Sequence, residues 1–261
     1  MAEQFFGLAN PVFSASDELH ELSTFDADSS SLTFGTRSIS VTEFTALPET
    51  DVEIAQISAL FPEATVFSQS HATERNVRSI DLSAYDVMSF ATHGALSFEA
   101  SGLTDPSLIL SFEPRIEGKY NSKKIDGILT AEEISRMNLS ASLVSLSACN
   151  TATDDINSSS RNVQNLASAF RLAGVDNVLS SLWAVESDAA VYVNSQFHKR
   201  WLNTGRSVAQ ALQRAKLDFL FQTDEKRASP AFWAAMINVG SGRGTTKQNL
   251  IKNQPYELHL G

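Results

Sequence analysis

A chain of 261 residues with 43% hydrophobic content is long enough to bury one sizeable α/β core or two small ones, which excludes a disordered or fibrous protein. Twenty basic against thirty acidic residues give a formal charge of −10, a field that repels phosphate backbones and anionic membranes, so direct nucleic-acid binding is not expected. The single cysteine excludes an internal disulfide, the first residues lack the basic and apolar regions of a signal peptide, and no apolar run reaches membrane-spanning length; a cytoplasmic protein with no membrane partner is expected.

Taken in order, Phe5 to Phe13 reads as a first strand and turn around Asn10 and Pro11, and a core strand this early suggests a domain cut from a longer chain. Residues 14–40, rich in Ser, Thr and Asp, read as a surface excursion or a hairpin around Leu32 to Gly35. Thr50 and Glu53 have capping-box spacing and open a helix with Val52, Ile54, Ile57 and Leu60 on its apolar face, ended by Pro62. A short strand from Ala64 to Phe67 follows, then a helix within His71 to Leu82, then a strand from Asp86 to Ala91 that delivers His93.

Ser107 to Phe112 reads as a compact strand and 113–124 as an exposed loop. Thr130 with Glu133 caps a short helix to Met137, which leads into the strand that ends on Cys149. After a polar loop, a helix from Asn162 stops at Gly174, a strand runs from Val175 to Val185, and Ala190, Val193, Phe197 and Trp201 mark a helix stopped by Gly205. Ser207 caps the next helix, Phe232 to Val239 forms a last strand, and 241–261 is a polar tail beyond one domain of residues 4–240.

Apolar strands separated by amphipathic helices imply a mostly parallel sheet covered on both faces, and such sheets collect functional side chains at the carboxyl ends of their strands. His93 and Cys149 each occupy such an end, 56 residues apart. Side chains alternate along a strand, so Ser145, Ser147 and Cys149 share one face. A lone cysteine in that position is most often a packed small hydrophobe. Paired with an imidazole it is also the arrangement that makes a thiolate nucleophile.

Five groups of residues carry a resemblance to a known family: Ala91 to Gly94, Asp126 to Ile134, Ser145 to Thr151, Ser181 to Val185, and Phe232 to Ala235, with Asn10 to Val12 and Leu47, Pro48 and Glu53 in support. In that order they resemble the CHAT domain of caspase-like cysteine peptidases. The resemblance implies a caspase-like three-layer α/β/α sandwich with a mostly parallel sheet. It also implies that Cys149 attacks a peptide carbonyl, that His93 protonates the leaving amine, and that the backbone N–H groups of Cys149 and Gly94 form the oxyanion hole.

By the same resemblance Ser147, two residues before the nucleophile, helps line the pocket for the side chain preceding the cut. Glu186 and Asp188 fall where related separases place acids that receive a basic side chain, which implies cleavage after Arg or Lys. Those two acids would equally suit the positive end of the helix they open. CHAT domains commonly follow TPR or other sensor modules and are implicated in bacterial defence and programmed cell death, so a regulatory partner outside this chain is implied, as is a protein substrate. No cofactor is implied, and the histidines show no zinc-ligand spacing. The alternative is a catalytically idle CHAT module that serves as an interaction domain.

Overall fold

The structure is a computed structural model that describes residues 4–13, 31–34, 37–40, 44–95, 105–111, 125–147 and 156–242. Cys149, the loop at 113–124 and the tail beyond 242 lie outside the described residues.

The chain opens with β1 (Gln4–Pro11) and an antiparallel hairpin of β2 (Ser31–Phe34) and β3 (Arg37–Ser40), then α1 (Pro48–Ser58), β4 (Glu63–Gln69), α2 (Glu74–Ser79) and β5 (Val87–Ala91). A side sheet follows from β6 (Gly94–Ala95), β7 (Ser107–Ile109) and β8 (Ile128–Thr130), then α3 (Ala131–Ser135) and β9 (Leu143–Leu146). The last part comprises α4 (Ile156–Leu172), β10 (Asn177–Ser181), α5 (Ser187–Thr204), α6 (Val208–Gln222), the single turn α7 (Pro230–Trp233) and β11 (Met236–Gly240).

The central sheet has the order β11-β10-β9-β5-β1-β4, parallel throughout except for the antiparallel β10–β11 pair. From β1 the chain winds outward to β4 and then returns to β5 on the opposite side of β1, so the winding reverses between β1 and β5. The crevice at the carboxyl ends of strands beside such a reversal is where α/β sheets bind ligands.

Strand alternation divides the interior in two. Phe5, Ala9, Val87, Ala91, Leu143 and Leu179 point into a core closed by α1, α5 and α6, where Ile54, Ile57, Phe197 and Trp201 are buried. Phe6, Leu8, Met88, Phe90, Val144, Leu146 and Val178 point the other way, against Val77, Ile134, Leu166 and Phe170 of α2, α3 and α4. The result is a three-layer α/β/α sandwich with a mostly parallel sheet. Gly7 lets α1 approach β1 closely: a Cβ there would stand 2.7 Å from Cγ2 of Ile54.

Local chemistry sets several element ends where the sequence places them. Thr130 and Glu133 close a reciprocal capping box on α3, Ser207 and Gln210 do the same on α6, and Gly205 ends α5 in the left-handed region with φ +65. Glu74, wholly buried at the start of α2, accepts the backbone N–H groups of Asp126 and Gly127 at 2.8 and 2.9 Å and is clamped by Arg78 at 2.6 Å. That carboxylate anchors the approach to β8.

Other expectations are corrected. Thr50 and Glu53 do not cap α1, because Pro48 already occupies its first turn and the helix starts two residues earlier. Asn10, held at φ +42, secures that start instead: its Oδ1 accepts from Leu47 N–H, its Nδ2 donates to Asp51, and its N–H donates to Thr50 Oγ1. Val52 is exposed rather than on the buried face. α4 begins six residues before Asn162. The last strand starts at Met236, because Pro230 initiates the turn α7 across Phe232 and Trp233. Among the described residues no helix is long and apolar enough to cross a membrane.

Candidate active site

β5 and β9 are hydrogen-bonded neighbours in parallel register, with Phe90 opposite Leu146. Ser147 N–H extends the ladder to the Phe90 carbonyl at 3.0 Å. His93 lies three residues beyond Phe90 and Ser147 one beyond Leu146, so the parallel register carries both to the same end of the sheet. Both strands are fully buried and apolar apart from Ser89 and Ser145, as suits the centre of a parallel sheet.

After β5 the backbone is pinned by the side sheet. Thr92 Oγ1 donates to the Ile109 carbonyl, and Ile109 N–H donates to the His93 carbonyl at 3.0 Å. That bond makes Gly94 and Leu108 a non-hydrogen-bonded antiparallel pair, so the Gly94 N–H is directed away from β7. The orientation leaves the Gly94 amide pointing off the side sheet as a donor.

The His93 imidazole is buried against the rings of Phe13 and Phe44, with centroids 4.9 and 5.3 Å away. Its Nε2 stands 2.7 Å from the Thr45 carbonyl, which can only accept, so Nε2 carries the proton and Nδ1 carries the lone pair of the neutral ring. Burial pushes the imidazole below its ordinary value, only partly offset by the Thr45 bond and the charge of Glu49. A neutral, oriented imidazole at this point can take or deliver a proton through Nδ1.

Beside His93 opens a cleft of about 240 Å³ between the start of α1, Ser147 and the segment 184–191 that begins α5. Among the described residues its ionisable lining consists of Glu49, Glu53 and His93, with no Lys or Arg. Ser147 Oγ donates to Glu53 Oε2 at 2.8 Å, Asn194 Nδ2 donates to Glu53 Oε1 at 2.5 Å, and Ser145 Oγ donates to Asn194 Oδ1 at 2.9 Å. Ser145 and Ser147 thus share a face, but it is a packed polar seam beneath α1 and α5 that opens into the cleft at Ser147. Burial pushes the Glu53 carboxyl up to about 7 against the lowering effect of Ser147 and Asn194, with Glu49 adding to the rise.

The structure brings His93, Gly94 and Ser147 to one end of the sheet, and leaves Cys149 outside the described residues. Glu186 and Asp188 stand apart from the cleft lining: Glu186 is paired with Arg227, and Asp188 borders a separate groove with Tyr192, Phe219 and Arg227. Ser187 between them turns into the cleft and donates to Glu49 Oε1 at 2.8 Å. In the sequence, capping-box spacing marks Glu53 as a cap, and no motif marks Glu49 or Asn194. The available signal was periodicity, since Thr50, Glu53, Ile54 and Ile57 occupy one helical face and a carboxyl on a buried face demands partners. Among the described residues no group of three His, Cys, Asp or Glu side chains could hold a metal ion.

The CHAT domain family model matches residues 2–241. No curated protein matches the chain. Among solved structures, the chain is similar to the Arg specific cysteine proteinase gingipain R, with 9% identity and a TM-score of 0.48, over 92% of this chain and 46% of the other. It is similar also to the complex of Porphyromonas gingivalis RgpB pro- and mature domains, with 8% identity and a TM-score of 0.49, over 92% of this chain and 47% of the other. The chain therefore spans about half the length of those structures. Since the family model covers nearly every residue of the sandwich and its cleft, the chain belongs to the CHAT domain family.

Proposed function

We propose that the protein is a cysteine endopeptidase in which Cys149 is the nucleophile and His93 the proton-transfer group. The observation that supports this reading is the register of β5 on β9, which brings His93 and Ser147, the residue two before Cys149 in the sequence, to one cleft. The thiolate of Cys149 attacks the carbonyl carbon of a peptide bond and the C–N bond breaks. His93 Nδ1, having taken the Cys149 thiol proton, delivers it to the departing amine, and water then hydrolyses the thioester and restores the thiol. The Gly94 N–H, directed off the side sheet, and the Cys149 N–H stabilise the oxyanion.

Cleavage after Lys or Arg is the preference we infer, because the described lining of the cleft combines two carboxyls with a largely neutral imidazole and holds no Lys or Arg. Glu186 and Asp188 add to the negative field from outside the cleft. A regulatory module or protein outside this chain, of the TPR or other sensor type, controls access to the site, and a role in bacterial defence or programmed cell death follows from the family.

Arrayed peptide substrates, supplied with and without a candidate activator, test the reading. Wild type cleaves after basic residues, Cys149→Ala and His93→Ala do not, and Glu49→Ala loses more of the basic preference than Glu186→Ala or Asp188→Ala. Equal cleavage by wild type and Cys149→Ala would sink the mechanism and leave an interaction module.

A further inference from the structure

Glu53 is the one carboxyl that reaches from α1 across the cleft end of the sheet and touches both other elements that frame it. It is 1% exposed, accepts from Ser147 at the exit of β9 with one oxygen, and accepts from Asn194 in the middle of α5 with the other. Asn194 is itself fixed, because its Oδ1 is taken by Ser145, also on β9, and its backbone carbonyl accepts from His198 Nδ1 at 2.9 Å. Two serines of β9 are therefore tied through one buried chain of bonds to two helices. Burying a carboxyl in this place is costly unless its bonds do something that an apolar side chain could not.

We propose that Glu53 is a positioning residue of the site, which acts through Ser147 to hold the end of β9 two residues ahead of Cys149. The proposal rests on the peptidase reading only in naming Cys149 as the nucleophile. Ionised, Glu53 accepts the Ser147 hydroxyl proton, so Ser147 is locked as a donor to the helix side and offers only lone pairs to the cleft. Protonated, Glu53 must donate one O–H; Asn194 Nδ2 is itself a donor, so Ser147 Oγ becomes the acceptor and its own proton turns toward the cleft. One proton on Glu53 thus reverses the hydrogen-bonding sense of the last described residue of the nucleophile strand.

Among the described residues, the titratable groups around this network are Glu49 one turn back on α1, His93 at the end of β5, and His198 one turn along α5 from Asn194, and β9 with its exit contributes the hydroxyls of Ser145 and Ser147. Glu49 opposes ionisation of Glu53. His198 is held neutral by burial, and His93 is pushed toward neutrality, so neither supplies a standing positive charge that would keep Glu53 ionised near neutral pH.

Cys149 is the only cysteine in the chain, so its alkylation by iodoacetamide, followed by intact mass, reads the nucleophile directly without a substrate or an activator. The rate is measured from about pH 5 to about pH 9 for wild type, Glu53→Gln, Ser147→Ala and Ser147→Thr, each checked for folding by circular dichroism. In wild type the profile shows a step near neutrality in addition to the thiol's own titration. Glu53→Gln and Ser147→Ala lose that step and change the rate at pH 7 by about threefold to tenfold, whereas Ser147→Thr, which keeps the hydroxyl, retains the step.

A wild-type profile in both Glu53→Gln and Ser147→Ala overturns the proposal, as does a profile common to Ser147→Thr and Ser147→Ala. Should Glu53→Gln fail to fold, the two Ser147 variants decide. Altered alkylation with no peptide cleavage leaves the positioning role standing and removes the peptidase reading. Cleavage that depends on His93 and Cys149 but not on Glu53 does the reverse.

Discussion

His93 Nε2 donates to the carbonyl of Thr45 at 2.7 Å, across 48 residues of sequence. The bond selects the tautomer and fixes the ring plane through a backbone group, which no side-chain substitution can remove. Rings of Phe13 and Phe44 pack against the imidazole.

Because burial is the first cause of the lowered imidazole value, the acid limb of the pH–kcat/KM profile falls below the ordinary 6.5. Phe44→Ala, which lets water reach the ring, moves that limb and the NMR titration of the ring protons up toward 6.5. An unmoved limb would show that packing is not what holds the imidazole neutral.

Glu53 and His198 pull stability in opposite directions. The carboxyl is raised from 4.5 to about 7, so the folded chain keeps a proton that the unfolded chain has released; this stabilisation is present below 4.5 and is lost as pH rises to about 7, roughly 3 kcal/mol in all. The imidazole is lowered from 6.5 to about 4, so its stabilisation is present above 6.5 and is lost as pH falls to about 4, again roughly 3 kcal/mol. Urea midpoints for Glu53→Gln therefore climb relative to wild type between 4.5 and 7, and those for His198→Gln decline relative to wild type between 4 and 6.5. Parallel curves would contradict both assignments.

Glu74→Ala removes the acceptor of two backbone N–H groups and the partner of Arg78 in one step, and costs about 3–5 kcal/mol in urea denaturation. Glu74→Gln keeps an acceptor oxygen and forfeits the charge, so its loss is smaller, about 1–3 kcal/mol. Equal losses for the two variants would mean that the ion pair, not the backbone anchoring, carries the effect.

Gly174→Ala places a Cβ 2.2 Å from the Leu139 carbonyl oxygen at a residue with φ +113. Both the contact and the dihedral exclude an L side chain, so the variant loses about 3 kcal/mol or more, or is recovered unfolded. A melting temperature within error of wild type would show that the turn after α4 can be rebuilt.

Much of this architecture is legible residue by residue. The largely apolar runs that become β5 and β9 exist because both faces of a central parallel strand are buried, and caps such as Thr130 with Glu133, Ser207 with Gln210, and Gly205 are decided within one helical turn. The site is legible only in part. His93 and Ser147 follow from strand ends, but Glu53 lies 94 residues before Ser147 and meets it only because α1 crosses Gly7 at close range. Glu186 and Ser187 show the same limit, since which of two adjacent side chains turns into the cleft depends on the rotation of α5, and Arg227 draws Glu186 away from 41 residues downstream.

The division of the interior into two cores has a spectroscopic consequence. The tryptophans that pack in a core do so on one side: Trp201 is buried in α5 and Trp233 packs against the same core, while the partly exposed Trp183 indole donates to the Ala231 carbonyl in α7. Intrinsic fluorescence therefore watches the layer of α1, α5 and α6, the layer that walls the cleft, and is dark to loosening around α2, α3 and α4. Far-ultraviolet circular dichroism averages over both layers. A denaturation in which the two signals coincide reports a sandwich that unfolds as one cooperative unit; emission that shifts first reports a cleft wall that opens while the opposite layer stays packed.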